Sequence, residues 1–199
     1  MGDVLKKPKS IFIVCTATYY TGLNTGIERV VRNIISRLDT IGQLYGVKCA
    51  PVILKEGKFI AISKEDLLNK KPNKTILKVK VLLSKLLPSK LYFFSKNLYV
   101  KVSLMFTKPS VKSAPLKVQR DDIILAIDVF WELGVIDAIK SYKQKYGVVF
   151  FLLVYDIIPL LFPQYYRDQT PKKFKKYFSQ TDIYDAIITT SKANVSQIK

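Results

Sequence analysis

Short apolar runs that alternate with helical patterns constrain this chain more than any other feature. Ile11–Cys15 is a strand-length run, followed by a loop from Tyr19 to Thr25 and then a helical pattern. There Ile27, Val30, Val31, Ile34, Ile35 and Leu38 recur at the i, i+3, i+4, i+7 spacing of one buried face. Thr25 and Glu28 match a capping box and mark the helix start. Ile123–Ile127 opens a second unit, with a helix over 131–146 that stops at Gly147. Val148–Val154 is apolar throughout, as expected of a strand covered on both faces. A loop carrying Pro159 and Pro163 follows it, then a basic helix from Pro171. Tyr184–Thr190 reads as one more strand, with Ser191 as the N-cap of a further helix. This alternation predicts an α/β fold: a Rossmann-like, doubly wound, mostly parallel sheet with helices on both faces. Gly46–Ile62 breaks the rhythm. Val47–Leu54 and Lys58–Ile62 flank Lys55-Glu56-Gly57 and predict a hairpin or bent edge.

A chain of 199 residues buries one sizeable core, so residues 1–199 read as a single domain. No apolar run approaches the length needed to span a bilayer. Lys6, Lys7 and Lys9 ahead of Ile11 imitate a signal peptide. Thr16 and Thr18 interrupt that apolar stretch, however, and Tyr19 and Tyr20 replace the small residues of a cleavage site. The segment is read as a buried first strand and the chain as cytoplasmic. Cys15 and Cys49 both fall in strands and fit reduced core residues. There is no histidine, which excludes histidine bases, Ser-His-Asp triads and histidine-ligated zinc; no metal site is expected.

The formal charge of +18 calls for an anionic partner or a heavily solvated surface. Its excess is concentrated in the middle third, where fourteen basic residues between Lys64 and Arg120 face only Glu65 and Asp66. The pattern over 75–87 and 90–106 is helical, with Pro88 between the two helices, and predicts a basic helical insertion over about 64–118. Lys71, Lys74, Lys78 and Lys85 form one stripe; Lys90, Lys101 and Lys108 form another. Such a basic amphipathic pair suits an anionic membrane surface. The plainer alternative is an insertion packed on the core with solvated lysines. Tyr92-Phe93-Phe94 beside lysines resembles a base-stacking surface, but no nucleic-acid-binding motif accompanies it, and no nucleic-acid partner is expected.

In an open parallel sheet, ligands bind beyond the carboxyl ends of the strands, so the turns there are the candidate site. Thr21–Arg29 contains Gly22 and Gly26 before a helix N-terminus that suits a phosphate or hydroxyl-rich group. Its spacing is neither GxGxxG nor a Walker loop. Asp128 and Asp156 each follow a strand, where a carboxylate accepts hydrogen bonds from sugar hydroxyls or simply forms a turn or cap. Trp131 either stacks on a sugar or belongs to the core.

Taken together these elements resemble the retaining glycosyltransferases of family 4, also called group 1. Thr25-Gly26-Ile27-Glu28-Arg29-Val30-Val31-Arg32 resembles their "TGI-x-RV" element. Asp121–Asp128 with Trp131 is similar to their "GD-apolar-D-x-x-W" strand. Val154–Leu160, with Pro163 and Tyr165-Tyr166, is similar to their "(H/Y)-D-L-I-P" segment, and Asp185–Lys192 to "aD-x-I-(I/L)-x-x-S-(K/R)". The four occur in the family's order across nearly the whole chain, while the Lys64–Arg120 stretch matches none of them.

The resemblance implies the N-terminal, acceptor-side domain of a two-domain GT-B enzyme that transfers sugar from a nucleotide-sugar to a growing, often lipid-linked, glycan at the inner membrane face. It implies a donor-binding C-terminal domain that this sequence does not contain, so the chain alone is expected to be inactive. It places Asp156 at the catalytic position beside the transferred sugar. Gly26, Ile27, Tyr155 and Ser191 fall near the donor, and Asp128 and Trp131 toward the acceptor. Relatives often carry His where this chain has Tyr155. The nucleotide-sugar is a substrate, and no bound cofactor is implied. Set against this is a non-catalytic, peripheral membrane-binding α/β module.

Overall fold

The computed structural model describes residues 8–24, 26–72, 115–129, 134–166 and 170–198. They form one six-stranded sheet: β1 Ser10–Val14, β2 Lys48–Lys55, β3 Lys58–Ala61, β4 Ile123–Ala126, β5 Val149–Val154 and β6 Ala186–Thr189. The spatial order is β3-β2-β1-β4-β5-β6. Every pairing is parallel except β2–β3, which form a hairpin, one of the two alternatives read from the sequence, and turn at Glu56-Gly57. The fold is α/β with a mostly parallel sheet flanked by helices, a Rossmann-like arrangement.

Helices α1 Thr16–Thr21, α2 Gly26–Ser36, α3 Leu38–Tyr45 and α4 Lys64–Leu68 precede β4. Helix α5 Val135–Tyr146 joins β4 to β5, α6 Ile158–Leu161 and α7 Thr170–Phe178 join β5 to β6, and α8 Lys192–Ile198 follows. Alternate strand residues feed two cores, as the pleat dictates. Phe12, Val14, Ile124, Phe150 and Leu152 pack with Ile136 and Ile139 of α5 and Phe174 of α7. Ile13, Cys15 and Ile53 pack with Val31 and Ile35 of α2 and Tyr19 and Tyr20 of α1.

Several local expectations need correction. The segment after β1 was expected as a loop from Tyr19, but it begins as α1. Apart from Ala17 these positions carry Thr and Tyr, which are weak helix formers; burial of Thr16, Thr18, Tyr19 and Tyr20 decides instead. Thr16 Oγ1 accepts from Leu54 N at 3.0 Å and Tyr20 hydroxyl donates to Leu54 O at 3.3 Å, so α1 closes the end of β2 with side chains. The helix predicted through Leu38 breaks at Arg37 into α2 and α3, and Val30 faces outward at 38% exposure. In β5, Phe150, Leu152 and Val154 are buried, but Val149, Phe151 and Leu153 are only partly so; one face is less covered than an all-apolar run suggests.

Two aspartates pin the register of the sheet. Asp122, just before β4, accepts from Ser10 N at 3.0 Å and from Gln119 N at 2.8 Å. Asp185, just before β6, accepts from Phe150 N at 2.8 Å while pairing with Lys143 at 2.5 Å. Each carboxylate thus takes up the amide at the start of a neighbouring parallel strand, where the ladder leaves a donor without a partner.

Among the described residues no helix is long and apolar enough to cross a membrane. Lys74, Lys78, Lys85, Lys90, Lys101 and Lys108, the helices expected over 75–87 and 90–106, Thr25 and Trp131 all lie outside the described residues. Lys71 is described and exposed.

Candidate functional site

The first connection carries the chain from β1 to β2, and β4 later lands on the opposite side of β1. The carboxyl ends of β1 and β4 therefore flank the switch point where open α/β sheets bind ligands. Here Thr18 N, in α1, donates to Asp128 Oδ2 at 2.7 Å, and Val129 N donates to Asp128 Oδ1 at 2.8 Å. Asp128 is 4% exposed. Burial pushes its carboxyl up to about 6, the amides of Thr18 and Val129 oppose that rise, and the charge of Glu28 adds to it. A carboxyl so placed changes charge close to neutrality.

A cavity of about 190 Å³ opens beside it, lined by Ile27 at the start of α2, Asp128, Tyr155, Asp156, Tyr166 and Phe174, among others. The structure thus gathers four of the residues singled out in the sequence, Ile27, Asp128, Tyr155 and Asp156, on one concavity. Their roles differ in kind. Tyr155 hydroxyl donates to Ile127 O at 2.7 Å, and burial with the nearby Asp128 charge raises its pKa, so it braces β4 against the end of β5. Asp156 is exposed and lines the cavity, and its Oδ1 accepts from Ile158 N at 3.0 Å.

Gly26 stands exposed at the head of α2, next to Ile27 but not on the cavity wall. Ser191 is also off the wall. It caps α8, its Oγ accepting from Asn194 N at 3.2 Å, as its position after a strand suggested. It reaches the site indirectly: Asn194 Nδ2 and Thr190 Oγ1 each donate to Tyr155 O at 2.9 Å. Thr18, Thr190 and Asn194 were not anticipated, because polar residues in a short helix or past a strand carry no periodic signal. Tyr166, Thr170 and Phe174 come from a turn and from α7, and only the fold brings them here.

A second set of contacts fixes the loop that leads into α2. Arg32 donates to Leu67 O, to Leu68 O at 3.1 Å, to Lys70 O at 3.0 Å and to Leu23 O at 3.3 Å. One guanidinium thereby caps the end of α4 and holds the carbonyl of Leu23. Gly22 has φ +60°, and a Cβ there would stand 2.5 Å from the carbonyl oxygen of Lys71. Lys70 Nζ lies 4.6 Å from the centre of the Tyr19 ring. The segment leaving α4 is therefore packed against α1 and the loop that follows it.

Among the described residues no group of three or more His, Cys, Asp or Glu side chains is placed to hold a metal ion. Comparison with protein-family models, with curated proteins and with solved structures finds no match in any of the three.

Proposed function

We propose that this chain is the acceptor-side half of a retaining glycosyltransferase of GT-B architecture, acting with a nucleotide-sugar on a growing, lipid-linked polysaccharide or glycan. The observation that carries the reading is the shared cavity of Ile27, Asp128, Tyr155 and Asp156 at the switch point. Its support from sequence is the family-like order of the four motifs, three of which supply those residues. At about 190 Å³ the cavity is smaller than a typical drug-sized site.

In this reading Asp128, already oriented by two backbone amides, accepts a hydrogen bond from an acceptor hydroxyl. Asp156 stands beside the transferred sugar, where its carboxylate balances positive charge developing at the anomeric carbon. The N-terminus of α2 faces the donor phosphates. Most of the nucleotide belongs to a second Rossmann-like domain facing this rim. The second half is required for turnover.

The test joins this chain to its natural continuation and assays transfer from a panel of nucleoside-diphosphate sugars to lipid-linked acceptors. Transfer abolished by Asp156→Asn supports the reading. A correctly folded two-domain protein that neither transfers nor hydrolyses any donor of the panel removes it.

A further inference from the structure

Helix α6 and the turn behind it expose an apolar stripe. Ile158 and Leu161 on α6, with Phe162 and Tyr165 in the turn behind it, are 44%, 46%, 44% and 75% exposed. The rings of Phe162 and Tyr165 stack with centroids 5.8 Å apart. Single exposed apolar residues are ordinary; a run of four large ones marks an interaction surface. Helix α7 packs against α6 and buries Phe174 beneath it. Its outward side carries Lys172, Lys175 and Lys176, on one helical stripe. From Ile157 to Gln180 the sequence holds four lysines and one arginine against one aspartate.

The two stripes narrow the choice of partner. Protein interfaces are depleted in lysine, whereas an anionic lipid surface attracts it. A second copy of a chain with net charge +18 would set like ammonium groups face to face. An apolar, aromatic-bearing stripe beside an ammonium stripe is the pattern of an element lying in a membrane interface, with rings at the acyl boundary and ammonium groups among phosphates.

We propose that the α6–α7 surface, formed by Ile158, Leu161, Phe162 and Tyr165 together with Lys172, Lys175 and Lys176, docks on an anionic lipid bilayer. These residues are separate from the lysine stripes of 71–108, and the docking stands independently of glycosyl transfer. Its bearing on the cavity does rest on that reading: Pro159, Tyr166, Thr170 and Phe174 line the cavity from the same stretch of chain. A docked molecule would hold the opening near the headgroups, where the sugar of a lipid-linked acceptor lies.

The experiment uses the full chain and vesicles of phosphatidylcholine with or without roughly one-third phosphatidylglycerol. Co-sedimentation should require the anionic lipid and weaken as salt rises. Replacing Lys172, Lys175 and Lys176 together by Gln should lower the affinity at least about tenfold, as should Phe162→Ser with Tyr165→Ser. All five positions are exposed, so unchanged thermal melting is expected and is checked alongside. A Tyr165→Trp variant adds fluorescence at the stripe, which brominated acyl chains should quench. Equal binding by wild type and both sets of variants, equal binding to neutral vesicles, or an unquenched signal at position 165 would overturn the proposal. So would self-association that the stripe variants abolish, since that assigns the surface to a second copy. The readout is lipid binding alone, so a failure to transfer sugar leaves this result untouched.

Discussion

The amide of Thr18 donates to the carboxylate of Asp128 at 2.7 Å, which ties α1, immediately after β1, to the end of β4 across the sheet's switch point. The same carboxylate forms part of the cavity wall. Structure and candidate chemistry therefore depend on one ionisation.

The folded state raises Asp128 from 3.8 to about 6, chiefly through burial, so folding favours its protonated form. The associated stability is fully present below about pH 4 and is lost as pH rises through about 6. The loss by pH 7 is on the order of 2–3 kcal/mol. Urea unfolding of wild type and Asp128→Asn at pH 4.5 to 7.5 (roughly the window set by those two values) should show the wild type losing more stability across that range. Parallel curves would mean that Asp128 does not carry this dependence.

Arg32 serves four carbonyls, from Leu23, Leu67, Leu68 and Lys70. Arg32→Met should cost about 2–4 kcal/mol, and Arg32→Lys less, because an ammonium does not span the whole group. Amide exchange should accelerate jointly at Leu23–Ile27 and Leu68–Lys70 while β1 and β4 stay protected. Uniform acceleration across the sheet would contradict a local tie.

Gly22→Ala meets two obstacles, a left-handed φ and the Lys71 carbonyl. A loss of about 2 kcal/mol or more is expected by calorimetry. Gly57→Ala is the control: Gly57 shares the positive φ but faces open space, so its cost should be clearly smaller.

Asp122→Ala and Asp185→Ala each strip the acceptor from a strand-starting amide, at Ser10 and Phe150. Each should cost about 1–3 kcal/mol, the fully buried Asp122 more than the exposed Asp185. The two sites have no shared partner, so the double variant should show the sum within about 0.5 kcal/mol in denaturant titrations. Strong non-additivity would indicate that the sheet edge and its centre yield together.

Much of the fold was legible because it is written in periodicity. Ile11–Cys15, Ile123–Ile127 and Val148–Val154 announced central strands, the Lys55-Glu56-Gly57 turn announced a hairpin or bent edge, and Ser191 announced the cap of α8. What escaped was set by tertiary contacts. Thr16 and Tyr20 become helical because Leu54 needs a donor and an acceptor, and no local propensity encodes that need. Asp122 and Asp185 were visible as motif letters, but their use as register pins depends on strand neighbours far away in sequence. At the site, the carboxylates were found from their positions after strands, yet the sequence carried no hint that Asp128 is buried and amide-bound while Asp156 is exposed. Arg32 was visible only as the last letter of a motif, with no sign of the carbonyls it holds.

The hairpin strand β3 is not left bare on its outer side. Leu116 N donates to Phe59 O at 2.9 Å, and Pro115, which lacks an amide proton, bridges Ile60 there. A proline at that margin is a poor template for a newcomer. At the other margin β6 has no neighbour beyond it among the described residues, and its Ile188 faces solvent at 43% exposure. The sheet is consequently polar in its capacity to grow: any additional ribbon, from this polypeptide or another, has its opening next to β6.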